Sequence, residues 1–314
     1  MDLLAFAFIC IVWGSSFIAT ERASHALGPI GIGVWRLLGG TAVLAVLWVI
    51  HHRNYRVARR DWPLLLVYTV TVAVAYIIQP YVLEQGFGHS FFSAMVALIP
   101  LMTIVTSLPI LNVRPTGREI LGVVGGLVCI VLLLSDGFNR GMSLGLIGLA
   151  LLIPLSSALG NPLIKRSLSH APALPLTAAS LGCAGLMLVP MELFPTALTK
   201  FGLDGPPAPH DLPVVICAML FLTVVGTALS TAAFMWLVIR RGPLFPSMST
   251  YIVPIVGLLW GRYDHEAITP RQLIAMTGVL LMVALVQFGN TQQPTLAISV
   301  QPTIEPALGP REAA

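Results

Sequence analysis

Ser93-Ala-Met-Val-Ala-Leu-Ile-Pro100 and Ser247-Met-Ser-Thr-Tyr-Ile-Val-Pro254 fall on one another when the chain is slid by about 154 residues, each placing a serine seven residues ahead of a proline. Just beyond, Thr116-Gly-Arg118-Glu119 with Gly125 aligns with Thr269-Pro-Arg271-Gln272 with Gly278 at an offset of about 153. A near-constant offset divides the chain into a first copy over residues 1–138 and a second over 139–290, followed by a tail over 291–314. Five apolar segments fall in each copy. Because five is odd, the second copy enters the membrane from the opposite side, which gives an inverted repeat, an architecture that secondary transporters use for alternating access.

The surrounding composition makes these segments membrane helices. Hydrophobic residues are 56% and charged residues 10% of the chain, and the mean hydropathy is +0.88, against roughly 25% charged residues in soluble domains. The apolar runs reach the length that crosses a hydrocarbon layer about 30 Å thick. Stretches such as Val123–Leu134 are apolar on every face, unlike the alternating ten-residue strands of a barrel. The fold class read from this pattern is an all-α membrane protein of ten transmembrane helices. They are expected at about 3–19, 29–50, 62–84, 91–111, 119–135, 144–164, 174–194, 212–239, 244–261 and 270–288, as two inverted five-helix repeats around a central cavity.

The basic residues report orientation. With the N-terminus inside, the inner loops hold ten Lys and Arg residues, among them Arg59, Arg60, Lys165, Arg166, Arg240 and Arg241, and the outer loops hold five, including Arg22, Arg262 and Arg271. That bias predicts both termini on the cytoplasmic side. It also accounts for the net charge of +4 without any nucleic-acid groove. Only Met1 and Asp2 precede the first apolar run, so it is expected to be kept as a helix rather than cleaved. The tail from Thr291 to Ala314, rich in Pro, Gln, Thr and Ala, is expected to be disordered. Cys10, Cys129, Cys183 and Cys217 lie inside apolar segments without metal-ligand spacing. No metal or other cofactor is expected.

The chain carries, in order, Trp13-Gly14-Ser15-Ser16-Phe17, Trp35-Arg36, Arg60-Asp61-Trp62, the Pro100 and Pro254 helices, and Glu266-Ala-Ile-Thr269-Pro-Arg-Gln272 running into Gly278. In this order the motifs resemble the drug/metabolite transporter superfamily, specifically its ten-helix EamA type of bacterial exporter. The resemblance covers residues 1 to about 288. Val113 stands where the second copy has Glu266, a departure from the acidic position. The resemblance implies export or facilitated movement of amino acids, other small metabolites or drug-like cations across the bacterial inner membrane. Its partners would be a small-molecule substrate and the lipid bilayer, with the chain a monomer or a homodimer. Some relatives move aromatic amino acids.

Arg36 lies about seven residues into the second helix, too deep to face lipid without a cost of several kcal/mol. It is read either as a gate or substrate-carboxylate partner, or as a structural arginine tied to carbonyls or to the neighbourhood of Ser15 and Ser16. On the third helix Thr69, Tyr76 and Gln79 share one face, with Tyr81 and Glu84 at its end. The aligned helix carries Thr227, Ser230, Thr231 and Phe234, and Met235 aligns with Tyr81. Met95 and Ser93 precede Pro100, and Ser249 and Tyr251 precede Pro254; each proline removes one helical hydrogen bond and kinks the helix. Trp13, Tyr76, Tyr81 and Tyr251 bring aromatic faces that favour flat apolar or cationic ligands. The candidate cavity set is therefore Trp13, Ser15, Arg36, Tyr76, Gln79, Tyr81, Met95, Ser230, Phe234, Met235, Ser249 and Tyr251.

The remaining features read as structure. Gly122-Val-Val-Gly125-Gly126 has the small-residue spacing that lets helices approach closely, within the chain or at a dimer interface with the tenth helix. Trp48, Trp62 and Trp260 fall at helix ends, where tryptophan anchors at the headgroups. Glu84, Glu119 and Glu192 fall near helix ends, so no carboxylate is placed at a midplane to carry a proton. An integral-membrane enzyme acting on a lipid-linked substrate would need a nucleophile or metal cluster, for which His51-His52 is the nearest feature. A channel would need a selectivity ring, and no such segment is visible.

Overall fold

The structure, a computed structural model, describes residues 1–52, 57–85, 89–111, 117–139, 141–193, 212–266 and 268–287. Glu84, Glu119, His51 and His52 fall outside the described side chains. Val113, Thr116, Arg114, the loop over 195–211 and the tail fall outside the described residues altogether.

Helices account for the architecture, and the described residues contain no strand. In chain order they are α1 (Asp2–Ser24), α2 (Pro29–His52), α3 (Trp62–Glu84), α4 (His89–Val96), α5 (Ile99–Leu111), α6 (Gly117–Asn139), α7 (Leu144–Ser167) and α8 (Ala173–Leu193). They continue with α9 (Leu212–Leu220), α10 (Ser230–Arg241), α11 (Leu244–Ser247), α12 (Ser249–Tyr263) and α13 (Pro270–Gln287). Between α9 and α10 the chain stays helical but widens to a π-helix over Phe221–Leu229. Pro63 occupies the first turn of α3, where its missing N–H has no helical partner to lose. Ser143 caps α7 by accepting from the Leu146 amide at 3.2 Å. α10 ends at Gly242, whose φ of +89° suits a residue without Cβ.

Among the described residues seven stretches are long and apolar enough to cross a bilayer: 2–24, 29–50, 59–83, 91–111, 144–167, 173–193 and 212–241. The other three expected spans coincide with helices that are shorter or less apolar. α6 offers the apolar stretch Ile120–Leu133, α12 has 15 residues and α13 has 18. The chain is a multi-pass membrane protein.

Two expected helices are broken rather than kinked. The first parts at Ala97 and Leu98, so that Pro100 sits in the opening turn of α5. The second parts at Met248, leaving Pro254 inside α12. A proline destabilises the turn that precedes it by removing a donor and crowding the carbonyl four residues back; for Pro100 that carbonyl is Val96, at the break itself, whereas for Pro254 it is Thr250, already inside α12.

Close helix contacts rest on small residues, as expected where lipid supplies no hydrophobic drive between helices. α2 packs on α8, α6 on α13, α3 on α7, α1 on α12, α5 on α7 and α4 on α12. A side chain at Gly125 would overlap Met282, one at Gly126 would overlap Leu101, and one at Gly278 would meet Cys129. The glycine spacing of α6 is thus consumed inside the chain. α2 meets the π-helix through Gly39 and Gly40, which face Thr223 and Thr227. Outward faces stay apolar: Ile120, Leu121, Val124, Leu127, Val128 and Val131 form one exposed stripe of α6, with helical spacing.

Candidate functional site

A partly open cavity of about 160 Å³ lies between α1, α2, α3, α4, the start of α5, α7, the π-helix, α10 and α12. By this measure a single water needs roughly 10–15 Å³, so the space suits a small organic molecule.

Arg36 faces it. Trp35 is 63% exposed and Arg36 only 3%, because consecutive residues on a helix point about 100° apart; the ring goes to lipid and the guanidinium to the interior. Its Nε donates to Thr227 Oγ1 at 3.2 Å, and Nη1 donates to Thr20 Oγ1 at 3.4 Å and Gln79 Oε1 at 3.5 Å. The guanidinium carbon lies 4.7 Å from the centre of the Tyr76 ring. The two Nη1 contacts are long for hydrogen bonds, and no carboxylate among the described residues pairs with Arg36. Thr20 is itself anchored to the Ser16 carbonyl at 2.7 Å. Small neutral groups therefore hold the guanidinium in place without cancelling its charge.

Aromatic side chains make the walls. Trp13 stacks on Phe234 with ring centres 4.9 Å apart, and its indole N–H donates to Ser230 Oγ at 3.0 Å. Ser230 in turn donates to the Gly226 carbonyl at 2.8 Å. Phe17 meets Phe92 edge to face at 5.3 Å. Farther along α3, Tyr68 joins the lining, with Ser157 and Asn161 from α7.

Of the twelve residues expected at a cavity, Trp13, Arg36, Tyr76, Gln79 and Phe234 line this one. The other seven are placed elsewhere. Ser15 accepts the Trp260 indole N–H at 3.0 Å, so both turn to the α1–α12 contact; Trp260 thereby also acts as a link between helices. Ser230 sits behind Trp13. Ser249 donates to the Pro246 carbonyl at 2.7 Å. Met95 and Tyr81 belong to the apolar cluster around Phe91 and Phe92, Met235 to the cluster around Leu65 and Leu237, and Tyr251 packs against Leu98 and Leu101. In several cases the neighbour in sequence faces the space instead: Ser16, Val96, Thr231 and Thr250 line it. Thr69, expected on the face of Tyr76, is buried away from the space with its hydroxyl unpartnered. Thr20, Tyr68, Ser157 and Asn161 were not singled out by the sequence.

Ion pairs hold α1 at both ends. Arg22 pairs with Asp264 at 2.6 Å; at the other end Arg241 pairs with Asp2 at 2.6 Å, with Arg240 at 3.6 Å.

Residues 1–135 match the sequence profile of the EamA-like transporter family. The chain is 24% identical to the uncharacterized transporter YvbV of Bacillus subtilis, covering 95% of each. It is 25% identical to the protein PecM of Dickeya dadantii, over 91% of this chain and 93% of that one. It is 24% identical to the uncharacterized inner membrane transporter YedA of Escherichia coli K12, over 95% and 94%. A solved crystal structure superposes with a TM-score of 0.65 at 14% identity, over 93% of this chain and 99% of that one; that likeness concerns the fold alone.

Proposed function

We propose that this chain, whose residues 1–135 match the EamA-like transporter family, is a secondary transporter that exports small carboxylates, amino acids and aromatic ones foremost, across the bacterial inner membrane by alternating access. The observation that carries the reading is Arg36: a cation 3% exposed, turned into an aromatic cavity, with no carboxylate partner among the described residues. A buried charge left unpaired costs several kcal/mol. A substrate carboxylate matches the planar fork of a guanidinium with two parallel hydrogen bonds, and the aromatic walls suit an apolar body behind it. The competing reading, export of drug-like cations, is weakened by the same geometry, because the Tyr76 face that a cation would use is covered by the guanidinium. No Asp or Glu lies among the described residues of the lining.

Ten spans in two inverted repeats fit the packing. Exchanging each helix for its counterpart turns α1 on α12 into α7 on α5, and turns α2 on the π-helix into α8 on α3. The pairs α2 with α8, α6 with α13 and α4 with α12 map onto themselves. In this reading α4–α5, α9–α10 and α11–α12 each make one span. The termini lie inside, and the ion pairs at the two ends of α1 open alternately as the repeats rock.

Counterflow in liposomes tests the proposal, with purified protein and labelled amino acids, nucleosides and quaternary ammonium compounds. Saturable exchange of amino acids without a pH gradient is expected. Exchange of the ammonium compounds alone contradicts the carboxylate reading.

A further inference from the structure

Resting on the reading that a carboxylate binds at Arg36, we propose that Asn161 reads the opposite end of the substrate and selects there for a neutral hydrogen-bonding group, such as a phenolic hydroxyl. Asn161 is 5% exposed and lines the cavity. Its carboxamide opens onto the cavity and makes no hydrogen bond to another described residue, so its two donors and its acceptor face whatever the cavity holds.

A purely structural task for this side chain is hard to find. Pro162 follows it inside α7 and removes the amide that would serve the carbonyl of Ala158. That carbonyl is already served: Thr106 of α5 donates to it at 2.6 Å. The proline irregularity is thus repaired from another helix, and Asn161 is left turned toward the cavity. Next to it, Gly160 has no Cβ where one would press on Thr71 Oγ1 and the Tyr68 ring, so α7 and α3 close together beside the amide. Tyr68 and Ser157 add two more neutral polar groups to the same end.

The two ends are far enough apart to read two ends of one molecule. Arg36 lies on Tyr76 and Gly160 packs on Tyr68. Eight residues of α3 at 1.5 Å each separate the backbones of Tyr68 and Tyr76 by about 12 Å along the helix axis. Arg36 and Asn161 therefore meet the cavity at different levels along α3, so one elongated molecule can reach both. A site that offers a buried hydrogen-bonding partner discriminates strongly against the analogue lacking the hydroxyl, because its own polar group is then left unpaired.

The test is counterflow in liposomes with the full chain and two matched pairs: L-tyrosine against L-phenylalanine, and 3-(4-hydroxyphenyl)propionate against 3-phenylpropionate. The hydroxylated member of each pair is expected to be preferred at least tenfold in half-saturating concentration. Asn161→Leu is expected to bring that ratio to within about threefold of unity, and Asn161→Gln, which keeps the amide but shifts it by one methylene, to an intermediate value. Detergent melting curves identify a variant that has lost its fold, in which case the glutamine variant decides. An unchanged ratio in the folded variants, or no preference in the native chain, overturns the assignment of Asn161 while leaving the carboxylate reading intact. Exchange of none of the four acids overturns both.

Discussion

The Arg36 and Asn161 ends of the cavity solve different problems with different kinds of burial. Arg36 is charged and held by Thr227, Thr20, Gln79 and the Tyr76 ring, so it is oriented before any ligand arrives. Asn161 is neutral and makes no hydrogen bond to a described residue. A buried charge must be supported at all times, because desolvation without partners is costly, whereas a neutral amide at a cavity wall can exchange one hydrogen-bonding partner for another at little cost. The first end is suited to commit to a class of substrate, the second to choose within it.

The largest effect should come from the charged end. Arg36→Ala and Arg36→Lys are each expected to lower counterflow at least 100-fold, about the scale of losing one partner of a buried charge pair. The lysine fails because a point charge does not reproduce the bidentate fork. The protein should still elute as a folded species from size-exclusion chromatography. Full transport by the alanine variant would remove Arg36 from the account.

Smaller perturbations separate the ends. Gly160→Ala would crowd Thr71 and Tyr68, an overpacking worth about 1–3 kcal/mol. It should change the preference for hydroxylated over plain aromatic acids several-fold and leave the preference for acids over their amides untouched. Gly40→Ala places its Cβ 3.0 Å from the Thr227 methyl and should do the reverse, raising half-saturation for all acids a few-fold through the Nε contact of Arg36. If either variant moves both preferences, the two ends are not independent.

How much of this the sequence made legible follows from the same contrast. A charge in an apolar helix must face the interior whatever its role, so Arg36 stood out, and the bulky polar Tyr76 and Gln79 with it. Asn161, Ser157 and Thr20 did not, because a lone neutral polar residue in an apolar segment looks the same whether it glues helices or faces a cavity. What decides is the packing of α7 on α3, a relation between residues some ninety apart. On α1, α4, α10 and α12 the sequence selected helices that do reach the cavity but often the adjacent residue. Ser15, Met95, Ser230 and Ser249 were chosen, and Ser16, Val96, Thr231 and Thr250 face inward. A one-residue error turns a side chain by about 100°, and segments apolar on every face carry no moment to fix the rotation. The breaks at Ala97 and Met248 had a signal in their prolines, though not their positions. The π-helix over Phe221–Leu229 had none that we can identify.

The central claim, that an uncompensated Arg36 reads a carboxylate, is tested most directly by competition in the counterflow assay between L-phenylalanine, L-phenylalaninamide and phenethylamine. The acid is expected to compete at least 100-fold more strongly than either analogue that lacks the carboxylate. Equal competition by the amide, or stronger competition by the amine, contradicts it.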